Sequence, residues 1–304
     1  MYANDVLCRM ALGREFSTGG EYHLHGIQEL LEEYQILLGG FFFADLFPSL
    51  SFISTLTGTK SRLVKTFKAF DKLVDQVIAE HQSHDREKLG ESKDLVDVLL
   101  DIQKNGFEDK FLLTMDNVKG IILDMFVAGT DTTFIALDWG MTELITHPNV
   151  MKRAQSEIRR VVGDRRNVTE SDLLEMPYLK AVVKEVLRLH PPVPVSVPRE
   201  TTEDVKIEGY DIPAKTRVFV NIWAIGRDPE SWKDPESLSQ KGIAMGIVTI
   251  ELALPQILHS FDWELPKGIE AKDLDMTEVF GITMHRKAHL EIVAKPYFAS
   301  SLSN

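Results

Sequence analysis

Cysteine is nearly missing from this chain: Cys8 is the only one in 304 residues. A single thiol excludes an internal disulfide, a CxxC redox pair, an iron–sulfur cluster and a cysteine-rich zinc site. Cations are short as well, 34 Lys and Arg against 46 Asp and Glu, for a net charge of -12. That balance argues against a nucleic-acid partner, because phosphate contacts need clustered Lys and Arg. No unbroken apolar run reaches roughly 18 residues, so no segment reads as a membrane span by itself. The first twenty residues hold Asp5, Arg9, Arg14 and Glu15 and lack the apolar stretch of a signal peptide. Internal repeats and low-complexity tracts are absent. What is present, 44% hydrophobic and 26% charged residues, suits a globular protein with a sizeable core. At about 150 residues per domain, the length allows two ordinary domains or one large one.

The hydrophobic period is helical over most of the chain. Leu63, Phe67, Phe70, Val74, Val77 and Ile78 share one face and predict a helix from Ser61 to about His81. Residues 81–93 are charged and read as a loop, after which Asp94 can cap a short helix lined by Leu95, Val98, Leu99 and Ile102. Residues 116–146 run without a proline and are apolar nearly all round from Ile121 to Ala128, which predicts a helix buried through the middle of a domain. Asp124, Asp131 and Asp138 argue against its crossing a membrane. Pro148 is placed to open the next helix and Gly163 to close it. Thr169 can cap a further helix bearing the stripe Leu179, Val182, Val183, Val186 and Leu187, which ends at the prolines from Pro191 onward. From Val205 the period shortens. Strands are expected at 205–207, 216–220, 261–265 and 289–295, and one more helix at 244–260, with Pro255 as an oddity inside it. The apolar segment Gly39–Pro48 has two readings, a buried helix end or a surface patch touching a membrane or a ligand pocket. The fold class is mainly α with a minor β part.

Two short motifs suggest chemistry. Ala128-Gly129-Thr130-Asp131-Thr132-Thr133 sits mid-helix, where Gly, Thr and Asp all weaken the helix and can free a carbonyl for water or ligand. An acid beside a hydroxyl can relay a proton into an apolar site. Taken alone, the motif reads first as a kinked core helix with a satisfied Asp. Glu185 and Arg188, three apart, can pair on one helical face. Exposed, that pair contributes little; buried and joined by a second arginine, it would hold a loop in place.

In this order, and with Pro198-Arg199-Glu200, Asn221–Pro229 and Phe261–Pro266 following, these motifs resemble the cytochrome P-450 family of heme-thiolate monooxygenases, in particular the plant A-type group. The resemblance covers essentially the whole chain and implies one partial domain over 1–304 with an incomplete cytochrome P-450 fold. It implies heme b as cofactor, with electrons from NADPH through NADPH-cytochrome P-450 reductase, and a small apolar plant metabolite, terpenoid-like, as substrate. Asp131 and Thr132 are then the catalytic pair for proton delivery. Ala128, Gly129, Thr133 and Arg199 face the heme, Arg199 at a propionate, and Glu185 with Arg188 is the structural ion pair. Val193, Val195, Val197, Phe280 and Ile282 line the substrate side. The implied location is the cytosolic face of the endoplasmic reticulum membrane; no anchor is recognised in this sequence, which leaves a cytosolic chain as the alternative.

The family's heme cysteine has no counterpart here. Ser239-Gln240-Lys241-Gly242 stands where that loop is expected, with Gln240 in the cysteine's place, so no metal ligand is predicted. The Pro-Glu-Arg-Phe stretch that supplies the second arginine is absent too. Cys8 sits in a segment resembling a buried helix remote from the iron. The family's N-terminal region is also not recognised, so a truncated or mis-spliced product is one reading. Monooxygenase activity is another, and a heme-free small-molecule-binding helical protein a third.

Overall fold

The computed structural model describes residues 24–40, 42, 47–83, 93–106, 112–238 and 248–297. The chain divides into two compact units, 1–131 and 132–304, and the division falls inside its longest helix instead of at a linker.

In the first unit, α1 (Leu24–Leu38), α2 (Phe52–Leu56), α3 (Thr59–Ser83) and α4 (Leu95–Asn105) are followed by the opening half of α5 (Met115–Thr146). The predicted stripe of α3 points inward through Phe70, Val74, Val77 and Ile78. It packs with Val96 and Leu99 of α4 and Val118, Ile122 and Phe126 of α5. Leu63 and Phe67, at the start of the same stripe, are exposed. Asp94 caps α4 as its residue type predicts, in a reciprocal capping box with Asp97. Of Gly39–Pro48, residues 41 and 43–46 lie outside the described residues, and Phe47 is exposed.

The second unit holds the rest of α5, then α6 (Pro148–Val162), α7 (Pro177–Leu189), α8 (Ile222–Gly226) and α9 (Val248–Ser260). Its core joins Ile135, Trp139 and Leu144 of α5 to Ala154 and Ile158 of α6, Leu179, Val182 and Val186 of α7, and Leu254 and Leu258 of α9. Among the described residues, four antiparallel pairs of short strands accompany these helices. They are β1 (Arg199–Glu200) with β4 (Arg217–Val218), β2 (Val205–Ile207) with β3 (Tyr210–Ile212), β5 (Phe261–Glu264) with β8 (Val293–Pro296), and β6 (Glu278–Phe280) with β7 (Met284–Arg286).

Three expectations change. Thr169 does not start α7: its capping box opens a 3-10 turn over Glu170–Glu175, and Pro177, whose missing N–H suits a first turn, opens α7. The 216–220 strand shrinks to two residues. And α5 is not buried all round, since Met125 and Phe134 are each 45% exposed and Ala128 is exposed. A helix apolar on every side needs cover on every side, and each unit's core covers one face. By length and composition α5 could cross a membrane, its most apolar 18-residue window having a mean hydropathy of 1.5. Yet Asp138 and Glu143 within it meet Arg286 and His190 inside the second unit, as in a core helix. Pro255 leaves α9 helical, because Ala253, Leu254 and Leu258 are buried around it and Gln256 accepts the Val168 N–H at 2.8 Å.

Candidate functional site

Helix α5 passes through Ala128–Thr133 without a break. The expected local opening is therefore not seen. The Thr130 hydroxyl donates to the Phe126 carbonyl at 2.8 Å, so the side chain that weakens helix propensity also reinforces the turn beneath it. Gly129, Asp131 and Thr132 are half-buried and Thr133 is buried.

The Glu185–Arg188 pair is fully built. Both side chains are buried, at 2% and 4% exposure, and the guanidinium meets the carboxylate as a fork, Nη2 to Oε1 at 2.7 Å and Nε to Oε2 at 3.0 Å. Its remaining donors reach three backbone carbonyls: Gly226 at 2.6 Å, Pro235 at 2.7 Å and Ser237 at 3.0 Å. All five guanidinium N–H groups thus have acceptors. The Trp232 ring lies 4.9 Å from the same guanidinium. The loop after α8 is therefore clamped to α7 without a second arginine from a Pro-Glu-Arg-Phe stretch. Gly226 is required for the close approach, because a Cβ there would stand 2.6 Å from the Arg188 carbonyl oxygen.

The residues assigned to the substrate side come from two segments that the fold brings together. Val193, Val195 and Val197 follow α7 in a turn where Ser196 takes a left-handed φ of 59° and its hydroxyl accepts the Val220 N–H. Phe280 and Ile282 belong to the β6–β7 hairpin. The Met284 N–H of that hairpin donates to the Pro192 carbonyl at 3.0 Å, which joins the two segments through backbone. Val193 and Ile282 are half-buried, Val195 and Val197 exposed. Arg199 is exposed in β1, opposite Val218.

A buried polar cluster beside these segments has little trace in the sequence. Trp139 and His190 stack with centroids 3.8 Å apart and planes 4° from parallel. His190 Nε2 lies 2.7 Å from Glu143 Oε1 and Nδ1 lies 3.5 Å from Glu278 Oε1. Arg286 approaches Asp138 at 3.8 Å. Burial pushes the Asp138 carboxyl up, opposed chiefly by Arg286. The only cue is Trp139 and Glu143 four apart on one helical face; Glu278 is too distant in sequence to be paired with His190 by reading.

Among the described residues one group, His81 with Asp94 and Asp97, is compact enough to hold a cation. Its atoms are already committed: His81 Nε2 to Asp94 at 2.9 Å, Nδ1 to the Val77 carbonyl at 2.7 Å, and both aspartates to the capping box. Cys8 and Gln240 lie outside the described residues.

The family model for Cytochrome P450 matches residues 1–239, stopping one residue before Gln240. The chain belongs to the cytochrome P450 family. It is 60% identical to Cytochrome P450 71AP13 of Prunus mume over 98% of this chain and 63% of that one. It is 40% identical to the premnaspirodiene oxygenase of Hyoscyamus muticus over 98% of this chain and 64% of that one. A zebra fish cytochrome P450 solved with abiraterone superposes with a TM-score of 0.77 at 25% identity, covering 97% of this chain and 69% of that one. The chain thus spans a little under two thirds of the length of these curated relatives, and the plant A-type assignment and the incomplete family fold both hold. The Prunus match extends over 325 residues, more than the 304 of this chain, so the relative carries internal residues with no counterpart here.

Heme is the cofactor of this family, with electrons drawn from NADPH through a reductase. The donor set of this chain does not fit it on the thiolate side. Residues 200–304 contain no cysteine, and 239–247 offer Ser239, Gln240, Lys241 and Met245 instead. None of these is a thiolate, the ligand that pushes electron density toward O–O cleavage.

Proposed function

We propose that this chain keeps the ligand-side framework of a plant heme monooxygenase while lacking the thiolate its chemistry needs. The ancestral reaction, on this reading, puts one oxygen atom from O₂ into a small apolar plant metabolite of terpenoid type. Electrons come from NADPH-cytochrome P450 reductase at the cytosolic face of the endoplasmic reticulum membrane. A relative named as an oxygenase of premnaspirodiene, at 40% identity, supports the substrate class. The observation that carries the reading is the contrast between two neighbouring parts. The Glu185–Arg188 clamp is complete, with every donor satisfied, while the segment that follows it at 239–247 contains no cysteine.

The residues that remain have roles that need no heme. Glu185 and Arg188 hold the 226–237 loop. Val193, Val195, Val197 and Ile282, with the β6–β7 hairpin whose sequence includes Phe280, make up the segments toward an apolar molecule. Asp131, Thr132, Ala128, Gly129, Thr133 and Arg199 are the positions that would face oxygen and heme in a thiolate-bearing relative; here they are retained scaffold. The test is reconstitution with hemin, reductase, NADPH and a terpene hydrocarbon, with products read by mass spectrometry. No oxygenated product is expected. Product formation in a Cys8→Ser chain overturns the proposal.

A further inference from the structure

We propose that His190 is a positioning residue that clasps the β6–β7 hairpin to α5 only while both of its ring nitrogens carry protons. The inference rests on the reading of that hairpin as part of the apolar ligand wall and adds a control over it.

The His190 side chain is 8% exposed, and its ring is held flat on Trp139. Each ring nitrogen faces a carboxylate oxygen, Nε2 toward Glu143 and Nδ1 toward Glu278. An ionised carboxylate only accepts, so each contact needs an N–H on the imidazole side. A neutral imidazole has one N–H. At 2.7 Å the Glu143 contact is a hydrogen bond and takes it; Nδ1, buried and without a hydrogen-bond partner, then turns a lone pair toward Glu278 Oε1 at 3.5 Å. Only the imidazolium holds both.

Charged and titratable groups face the ring from several elements. From α5, Glu143 faces the ring directly and Asp138 meets Arg286. His147, before α6, shares Glu143 at 3.3 Å. From the hairpin come Glu278 and Arg286, whose guanidinium is 5.7 Å from the Trp139 centroid, while His285 bonds Thr283. On its own helix, Glu185 and Arg188 are turned to the clamp.

The mechanical consequence follows from the chain path. His190 directly precedes Pro191 and Pro192, and Pro192 accepts the Met284 N–H. Glu278 begins the hairpin and Met284 lies on its return strand, so His190 and Pro192 reach both strands. When His190 loses a proton, Glu278 is released, while the Met284–Pro192 bond and the Arg286–Asp138 contact remain.

Hydrogen exchange of the hairpin amides tests this in the folded chain, without heme or ligand. Residues 278–286 are compared with α7 amides along a pH series, after correction for intrinsic rates, with the protonation of the His190 ring followed in parallel by ¹⁵N shifts. Hairpin protection is expected to fall about tenfold toward higher pH, and Glu278→Gln is expected to abolish the step. Unchanged protection in the wild type, or the same step in Glu278→Gln, overturns the proposal. Should that variant not fold, ¹⁵N shifts of the wild-type ring decide: both nitrogens protonated at low pH and Nε2 alone at high pH support it. A ring protonated at Nδ1 alone overturns it. Because no ligand is involved, failure here leaves the family-based reading standing, and failure of that reading leaves the clasp standing.

Discussion

At the scale of single residues, the clamp and one surface pair give the clearest consequences. Arg188 is buried with all five donors used, so Arg188→Lys keeps the charge but loses the fork and strands backbone carbonyls. Glu185→Ala leaves the guanidinium buried and unpaired; such losses typically cost about 3–5 kcal/mol. Both variants are expected to lower the urea midpoint of the second unit, Glu185→Ala more, and a wild-type midpoint for either contradicts the clamp. Gly226→Ala is expected to act like them, since its Cβ would press on the Arg188 carbonyl. Asp172 behaves differently. The Arg165 guanidinium beside it, bonded at 2.7 and 3.1 Å, holds its carboxyl down at about 2. A depressed carboxyl contributes stability that is present above the unfolded value of about 3.9 and is lost as pH falls through about 2. Following the Asp172 carboxyl carbon by NMR should show its titration near that value in the wild type and near the ordinary carboxylate range in Arg165→Ala. An ordinary value in both would remove the pair from the account.

At the scale of elements, the fold was largely readable because its helices are amphipathic and capped. Asp94, Pro148 and Gly163 sit where they were placed by residue type alone. The 3-10 turn before α7 was missed because Thr169 and its acids give the same cap signal for either kind of helix, and Pro177 decides between them. The β6–β7 hairpin was missed as an element because its strands are three residues each, too short to show alternation. Of the site, the Glu185–Arg188 pair was legible from spacing, but its burial and its carbonyl partners were not, since those come from residues 38–49 positions away. The His190 cluster was illegible for the same reason. Helix α5 offers an element-scale check. Gly120 is exposed within it and a Cβ there would meet nothing within 4 Å, so Gly120→Ala should stabilise the first unit by about 0.5–1 kcal/mol in a denaturant titration. A loss of stability would mean that the helix is not regular at this point.

At the scale of the whole molecule, the account pairs a retained fold with a missing ligand atom. Unit by unit the cores are well formed, yet large apolar side chains stay exposed: Phe52, Leu56 and Phe67 in the first, Val197, Phe219 and Ile225 in the second. Uncovered apolar area costs about 25 cal/mol per Å² relative to burial, so the isolated chain is expected to bind an apolar dye in its folded state and to associate with rising concentration. Sedimentation of a strictly monomeric, dye-silent chain would contradict that. The central claim is that the framework persists without the thiolate, and the carbon monoxide difference spectrum of the reduced, hemin-treated chain tests it most directly. The chain as it stands should give no heme-thiolate band. The same chain with the cysteine loop of the 60% identical Prunus relative inserted between Leu238 and Val248 should give one. A heme-thiolate band from the uninserted Cys8→Ser chain would contradict the account.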